Sequence, residues 1–373
     1  MTLEAHFFTI RRALRAVMPP SFAKHAEIIP LAGDASTRSY YRVRVTNAPP
    51  STYFPASVVV MLYPDEIPPG EELPFLNVHQ YLRVAGIPVP GVLFHKPERK
   101  LLFLEDAGDT MLEDAVKERG TAACLPIYEH CVEILARLQT DGTRALDGSA
   151  IPARLAFDMK KLGEEIDFFF EHAIKEYGGI PLSDREKRAI EDLFIPFLEQ
   201  TVSLPRVLAH RDYHSRNVMV LVDTPAVHGK PVLRVLDFQD ARMGSVFYDL
   251  ASLMRDSYVT LAEEEVSHLK YVWRHLASKG LLRAAGDPGA FTELFDAAAL
   301  QRNVKAIGTF GNQAHNRGKK LYLRFIPPTV AHLRGNFSRN PPMRPLAEKL
   351  LPLLEALEEK ALSEMETPER IIS

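Results

Sequence analysis

The sequence has few cysteines, no long apolar stretch and little net charge, and each absence excludes a class of protein. Only two of its 373 residues are cysteines, Cys124 and Cys131. On a helix they would lie about 10 Å apart, too far for a disulfide, so we expect buried free thiols. No apolar run approaches the length of a membrane-spanning helix. A formal net charge of −3 gives no electrostatic reason to expect nucleic-acid binding. We therefore expect a cytoplasmic globular monomer without a nucleic-acid or membrane partner.

A short motif near the middle of the chain is typical of phosphoryl transfer. Residues 210–217 read HRDYHSRN, which matches the protein-kinase catalytic loop, H-R-D followed by four residues and Asn. An acid also follows an apolar run at 236–238, as the Asp before Phe does in kinases. In this pattern Asp212 orients or deprotonates the acceptor hydroxyl, and two further oxygen ligands hold magnesium. The sequence therefore predicts Asp212 as the catalytic residue and Asn217 and Asp237 as the metal ligands for ATP·Mg²⁺.

The spacing of these residues supports one shared magnesium site. Residues 218–222 and 232–236 are apolar and rich in β-branched side chains, and a turn-rich loop separates them. If that hairpin is centred near residue 227, Asn217 faces Asp237 across the strands, with Cβ atoms roughly 5 Å apart. Two oxygen ligands at that separation can bind the same Mg²⁺. His210, Asp212 and His214 could instead suggest a metallohydrolase, but no second histidine cluster completes such a site.

The periodicity of the chain changes after about residue 106. Strand signals come first, at 28–31, 40–45, 57–63 and 101–105, with one helix at 73–85. Helical periodicity follows, with helices expected near 158–176, 184–201, 262–279, 290–306 and 346–363. We predict an α+β fold with a β-rich nucleotide-binding lobe at 1–106 and a helical catalytic and substrate-binding lobe at 107–373.

Several stretches together resemble a known family. They read LAGDASTR (31–38), VVVMLYP (58–64), IPVP (87–90), FLEDAGD (103–109), HRDYHSRN (210–217), LDFQDA (236–241), YDL (248–250) and LQRNVK (300–305). The chain resembles the aminoglycoside phosphotransferase family, and within it the bacterial kinases that act on the anomeric hydroxyl of N-acetylmuramate and N-acetylglucosamine. The resemblance implies a protein-kinase-like bilobal fold, ATP and Mg²⁺ as cofactors, a small sugar substrate and a sugar 1-phosphate product for cell-wall recycling. It also implies that Asp249 braces the catalytic loop, although a helix N-cap is the alternative.

Two stretches of the first lobe are candidates for nucleotide binding. The loop over the phosphates should contain small and hydroxyl residues and one cation, namely Gly33, Ser36, Thr37 and Arg38. An ordinary polar hairpin turn would look the same. Phe103 and Glu105 belong to the expected connection between the lobes, where backbone can bind an adenine edge. An edge strand of a sheet is the alternative.

The phosphate-binding lysine of kinases is missing. Met61 stands where the strand 58–63 should carry it, and the helix 73–85 lacks a glutamate to pair with it. Because both partners are absent together, we expect Arg38, or failing that Arg42, to supply charge to the phosphates. The same absence sustains a rival interpretation, an inactive nucleotide-binding pseudokinase.

The acceptor is the least constrained part of the prediction. Residues 301–345 contain nine Lys or Arg and no Asp or Glu, which would repel a polycationic antibiotic and tolerate a carboxylate if they lined the cleft. Solvated faces are the alternative. The candidate substrate-binding residues are Asp212, Gln239, Asp240 and Arg302. A family kinase acting on an aminoglycoside, choline-like or homoserine-like alcohol would share the same core motifs.

Overall fold

A computed structural model of the chain describes residues 3–17, 23, 25–31, 38–45, 55–64, 67, 72–287 and 289–366. Its contacts group the chain into two units, Met1–Leu73 with Val89–Asp109, and Pro74–Pro88 with Thr110–Ser373. The sequence places the change of lobe after residue 106, and the contact-based units change after residue 109. The predicted helix near 73–85 is grouped by its contacts with the second unit.

The first unit contains a five-stranded antiparallel sheet with the order β1-β2-β3-β5-β4. Its strands are β1 (Ala26–Leu31), β2 (Ser39–Val45), β3 (Ser57–Leu62), β4 (Val92–Lys96) and β5 (Leu101–Glu105). Val43, Val58 and Val60 are fully buried with Ile10 and Leu14 of the helix Leu3–Val17. The four predicted strands are confirmed. β4 was not predicted, because prolines on both sides of its five residues interrupt the apolar pattern.

The second unit is mostly helical. Its helices are Pro74–Val84, Leu112–Arg119, Thr121–Arg137, Thr143–Ala145, Ile151–Arg154, Met159–Phe169, Asp184–Ser203, Val246–Met254, Glu263–Leu276, Lys279–Ala284, Phe291–His315, Ile326–Arg339 and Arg344–Glu366. Wider π-helical turns occur at Leu138–Gly142 and Phe170–Gly178. Two short ribbons complete it: β6 (Val207–Ala209) pairs with β9 (Arg242–Gly244), and β7 (Val218–Val220) pairs with β8 (Leu233–Val235). The predicted α+β fold class is confirmed.

The helix Phe291–His315 lies at the centre of the second unit and is buried on most of its circumference. Glycines allow its close approach to the π-helical segment Phe170–Gly178. A Cβ added at Gly311 would lie 2.6 Å from the carbonyl oxygen of His172, which is closer than atoms can approach. This close packing fixes the position of residues 301–305 on the same helix.

Both cysteines are buried free thiols on the helix Thr121–Arg137, as predicted. Burial raises the pKa of Cys131 to about 12, so its thiol stays protonated at neutral pH. In the part of the chain that the structure describes, no helix combines the length and apolarity needed to cross a bilayer.

Candidate active site

The catalytic motif lies between two short strands. Residues 210–217 connect β6 to β7, and residues 236–241 connect β8 to β9. The hairpin register differs from the prediction by one residue: Val218 pairs with Val235, and the Leu236 amide donates to the Asn217 carbonyl at 2.8 Å. The expected pairing of Asn217 with Asp237 is therefore wrong. The loop is asymmetric, because its tight turn lies at 228–229, where both residues have positive φ, and not at the assumed centre.

Asp249 fixes the start of the catalytic loop. Its two carboxylate oxygens accept hydrogen bonds from the backbone amides of His210, at 2.6 Å, and Arg211, at 3.0 Å. The carboxyl is fully buried, and this burial raises its pKa to about 7. The N-cap of its helix is Ser245, so the N-cap alternative for Asp249 is wrong. His210 binds the Leu236 carbonyl through Nε2 at 2.8 Å and so ties the two active-site loops together.

Lys305 contacts the predicted catalytic carboxylate directly. Its Nζ donates to Oδ1 of Asp212 at 2.7 Å. Burial alone would raise the pKa of Asp212, but the positive charges of Lys305 and Arg211 outweigh it and hold that pKa well below its usual range. Asp212 is therefore a carboxylate at any ordinary pH. It is suited to accept a hydrogen bond from an acceptor hydroxyl and is a weak base.

Sequence reasoning did not single out Lys305 as a site residue. Lys305 lies within the basic stretch 301–345, from which the sequence predicts Arg302 as a substrate-binding residue. The structure buries Arg302 and directs its Nε to the Ser252 hydroxyl at 3.2 Å. The available signal was the four-residue spacing of Gln301 and Lys305, which places both on one face of a helix.

The predicted metal ligands lie on the two loops beside Asp212. Asn217 donates through Nδ2 to the Asp212 carbonyl at 2.8 Å, which leaves its Oδ1 as the atom for a cation. Asp237 has left-handed backbone, with φ of 60°, and accepts from Gln239 Nε2 at 2.7 Å. Burial and the negative charges of Asp212 and Asp240 raise the pKa of Asp237. The hydrogen bond from Gln239 lowers this pKa, but the net shift is upward.

The side-chain oxygens of Asn217 and Asp237 fit a magnesium ion. Both are oxygen ligands, and a cation would compensate the negative charge that raises the pKa of Asp237. The described residues contain no cluster of three or more His, Cys, Asp or Glu side chains arranged for a metal. Mg²⁺ suits such a sparse site, because it binds through one or two carboxylates together with phosphates and water.

The other predicted substrate residues flank this centre. Gln239 is buried and donates to both Asp237 and Asp240. The Asp240 side chain is 53% exposed, with Oδ1 lying 3.7 Å from Arg211 Nη1. Substrate binding by Asp212, Gln239, Asp240 and Arg302 stays a prediction.

Four of the nine basic residues in the stretch 301–345 pair with acidic partners. Lys305 pairs with Asp212, and three arginines pair with glutamates: Arg334 with Glu358, Arg339 with Glu263 and Arg344 with Glu348. These pairs remove part of the cationic character that the sequence suggested. The stretch is therefore weaker support for an acceptor that carries a carboxylate than its composition alone suggests.

The predicted nucleotide-binding residues belong to the first unit, and their roles stay predictions. Gly33, Ser36 and Thr37 lie outside the described residues, and Arg38 is half-buried. Phe103 is fully buried in the sheet core, where its ring lies edge-on to Phe94. Glu105 accepts from the Gly91 amide at 2.9 Å.

The strand position where kinases carry the phosphate-binding lysine is apolar and buried in this protein. Met61 in β3 is fully buried. Arg42 is also buried, and its guanidinium donates to the carboxylates of Asp106 and Asp109 and to the Gly108 carbonyl at 2.9 Å. Three acceptors already hold Arg42, which disfavours it as the cation that binds the phosphates. Phosphate binding by Arg38 stays a prediction.

Curated proteins are similar to this chain over most of its length. An N-acetylmuramate/N-acetylglucosamine kinase of Pseudomonas aeruginosa is 30% identical over 374 residues, covering 96% of this chain and 100% of the relative. A protein of the same name from Neisseria meningitidis is 29% identical, covering 87% of this chain and 89% of the relative.

Solved structures show the same fold at much lower identity. An ethanolamine kinase of Plasmodium vivax aligns with a TM-score of 0.56 at 14% identity, covering 90% of each chain. An ADP-bound aminoglycoside phosphotransferase aligns with a TM-score of 0.55 at 12% identity, covering 87% of this chain and 96% of that one. The sequence profile of the phosphotransferase enzyme family matches residues 27–278, a stretch that contains Asp212, Asn217 and Asp237. The chain is a member of this family of ATP-dependent kinases, the aminoglycoside phosphotransferase family.

Proposed function

We propose that this protein is an ATP-dependent kinase that phosphorylates the anomeric hydroxyl of a free amino sugar, N-acetylmuramate or N-acetylglucosamine, to the sugar 1-phosphate. The observation that carries the proposal is the Asp212 carboxylate, set in an H-R-D…N loop and paired with Lys305 at 2.7 Å. Four relatives named N-acetylmuramate/N-acetylglucosamine kinase support the choice of acceptor.

Asp212 suits this acceptor chemically. Lys305 and Arg211 keep its pKa low, so it removes a proton poorly from an ordinary alcohol. An anomeric hydroxyl is more acidic than an ordinary alcohol, so a weak base that orients it is sufficient. In the reaction the anomeric oxygen forms a bond to the γ-phosphorus, the bond from that phosphorus to the β–γ bridging oxygen breaks, and the hydroxyl proton is released by way of Asp212.

The remaining residues bind and orient. Asn217 and Asp237 would hold Mg²⁺, which neutralises phosphate charge when bound. The proposal assigns phosphate binding to Gly33, Ser36, Thr37 and Arg38, and adenine binding to the segment with Phe103 and Glu105. Asp249 keeps the loop in place by accepting hydrogen bonds from two of its backbone amides.

Phosphorus NMR of the reaction products tests the acceptor. The protein would be incubated with ATP and Mg²⁺ and, separately, each of the two sugars, choline, ethanolamine and an aminoglycoside. We expect an anomeric phosphate signal, coupled to the anomeric proton, with at least one of the sugars. Turnover of an amino alcohol or an aminoglycoside without turnover of either sugar would reject the proposal.

Replacing Asp212 tests whether the protein is a catalyst at all. Asp212→Asn removes the carboxylate that accepts the hydroxyl hydrogen, and we expect kcat to fall about 10²–10⁴-fold. Asp223→Asn, in the exposed hairpin loop, is the matched control and should leave kcat unchanged. Wild-type protein that binds ATP yet phosphorylates none of the acceptors would favour the pseudokinase alternative.

A further inference from the structure

Arg211 is surrounded by carboxylates but makes no hydrogen bond through its guanidinium to any residue that the structure describes. Nη2 lies 3.7 Å from Glu165, Nη1 lies 3.7 Å from Asp240, and Nε lies 4.0 Å from Asp212. All three distances are within ion-pair range but beyond hydrogen-bond range. Nε is buried and has no hydrogen-bond partner among the described residues. A buried guanidinium usually satisfies its donors, so this arrangement calls for an explanation.

The backbone at Arg211 is strained. Its φ is 86°, in the left-handed region that residues with a Cβ rarely adopt. The two amides held by Asp249, those of His210 and Arg211, keep the chain in this conformation. A glycine would adopt it without strain, yet the sequence has an arginine. Strained residues cluster at functional sites, where the surrounding structure holds a side chain in a required position.

Glu165 is held in place beneath Arg211. It is buried, and its Oε2 accepts from Gln301 Nε2 at 2.8 Å and from the Tyr248 hydroxyl at 3.4 Å. Its Oε1 faces Arg211 and has no hydrogen-bond partner among the described residues. Glu165 therefore attracts the guanidinium from a fixed point. Gln301 precedes Lys305 by one helical turn, so one helix supports both Arg211 and Asp212.

The charges beside Asp212 indicate what kind of ligand fits. Arg211, Lys305 and Arg242 contribute three positive charges, and Asp212, Glu165 and Asp240 contribute three negative charges, so these six charges balance. The group therefore has no excess charge of either sign for a charged ligand. A neutral hydroxyl or amide is favoured, because the Arg211 side chain is 23% exposed and offers donors, while Asp240 offers an exposed acceptor. A sugar hydroxyl both donates and accepts, so it suits this pair.

We propose that Arg211 and Asp240 form a subsite that binds a neutral ring hydroxyl or the acetamido group of the acceptor, with Glu165 and Gln301 as positioning residues for Arg211. This inference rests on the proposed function, since it assigns the recognition of the amino sugar at the same site. It distinguishes the groups that bind the sugar from Asp212, which acts on the hydroxyl that reacts.

Steady-state kinetics of four variants test the subsite. Arg211→Gln should raise the acceptor KM about 10–100-fold, the loss expected for a charge-assisted hydrogen bond, with the ATP KM changed less than about threefold. Its kcat should fall by a smaller factor than the acceptor KM rises, because Arg211 also helps to keep Asp212 ionised. Arg211→Lys keeps the charge without the planar fork and should give an intermediate KM. Glu165→Gln should also raise the acceptor KM, because it removes the charge that positions Arg211. Arg144→Gln, an exposed arginine that pairs only with Asp141 among the described residues, is the control.

A double variant separates positioning from simple folding. If Glu165 acts through Arg211, adding Glu165→Gln to Arg211→Gln should raise the acceptor KM no further. Additive effects, or a lower melting temperature with unchanged acceptor KM, would overturn the proposal. A lower kcat with unchanged acceptor KM would also overturn it, because Arg211 would then serve the transferred phosphoryl group. If Arg211→Gln does not fold, Arg211→Lys and Glu165→Gln decide by the same KM criterion.

The two proposals fail in different ways. Wild-type protein that phosphorylates neither sugar would reject the proposed function. An active wild type with unchanged acceptor KM in Arg211→Gln would reject only the subsite. Calorimetric titration of the acceptor without ATP gives a second measurement, and Arg211→Gln should weaken this binding by the same factor as it raises the KM.

Discussion

Lys305 shows how much one side chain determines the state of another. Replacing it with methionine keeps the approximate length of the side chain and removes the positive charge that contacts Asp212 Oδ1. We expect kcat to fall about 10–100-fold, because the carboxylate loses the charge-assisted hydrogen bond that orients it. Single-turnover kinetics with saturating ATP and sugar would measure the effect on the chemical step.

The conservative variant Lys305→Arg is the control for charge, and it should keep more activity than Lys305→Met. The pH profile gives an independent check. Without Lys305 the pKa of Asp212 rises towards its ordinary range, so the acidic limb of the profile should move to higher pH. Equal kcat values in all three proteins would show that Lys305 is only a structural partner.

At the scale of elements, the contact between the helix Phe291–His315 and the segment Phe170–Gly178 leaves no space for a methyl group. In Gly311→Ala the new Cβ would lie 2.8 Å from the Ala173 Cα as well as 2.6 Å from the His172 carbonyl. Because both are backbone atoms, the helices must separate. We expect a loss of about 1–3 kcal/mol in the free energy of unfolding, measured by urea titration.

Gly163→Ala is the matched control on the helix Met159–Phe169. An added Cβ there meets no atom of the described residues within 4 Å, apart from its chain neighbours and the backbone of its own helix. Alanine also has the higher helix propensity, so this variant should be more stable than wild type by about 0.5–1 kcal/mol. Two identical substitutions should thus shift stability in opposite directions. A loss of stability in both variants would contradict the packing described here.

For the molecule as a whole, His332 makes stability depend on pH. Burial lowers the pKa of His332 to about 4 from its ordinary 6.5. Above pH 6.5 the ring is neutral in both the folded and the unfolded state. Between pH 6.5 and 4 the unfolded chain binds a proton that the folded protein does not, so stability falls, by roughly 3 kcal/mol in total.

His332→Gln should reduce this pH dependence, since glutamine keeps an N–H donor for the Asp256 carbonyl and does not titrate. Trp273, the single tryptophan of the sequence, is fully buried in the second unit, and its fluorescence would follow unfolding. The difference in unfolding free energy between pH 7 and pH 4 should be smaller in the variant by about the same 3 kcal/mol. Equal differences in the two proteins would contradict the assignment.

Local sequence signals were sufficient for most of the fold and for choosing a candidate site. Apolar periodicity located β1, β2, β3 and β5, and the spacing within the motif at 210–217 predicts Asp212 as the catalytic residue. These features depend on neighbours a few residues apart. The hairpin register was missed by one residue, because the geometry of a long loop depends on where its tight turn lies.

Side chains that meet across large distances in the sequence were harder to predict. The helix Phe291–His315 is buried on most sides, so it lacks the polar face that would show which residues point to the site. Arg302 and Lys305 are therefore equivalent candidates in the sequence, and only packing separates them. Glu165 and Gln301 lie 136 positions apart, and no local pattern connects them.

The separation of 93 positions between Asp212 and Lys305 has a consequence for the protein as it is synthesised. At 5–20 residues per second, a ribosome needs roughly 5–20 s to add the lysine after it has added the aspartate. During that interval a nascent chain can already contain the whole catalytic motif but not the cation that orients its carboxylate. Full catalytic competence should therefore arise only after residue 305 has been synthesised and has folded against Asp212.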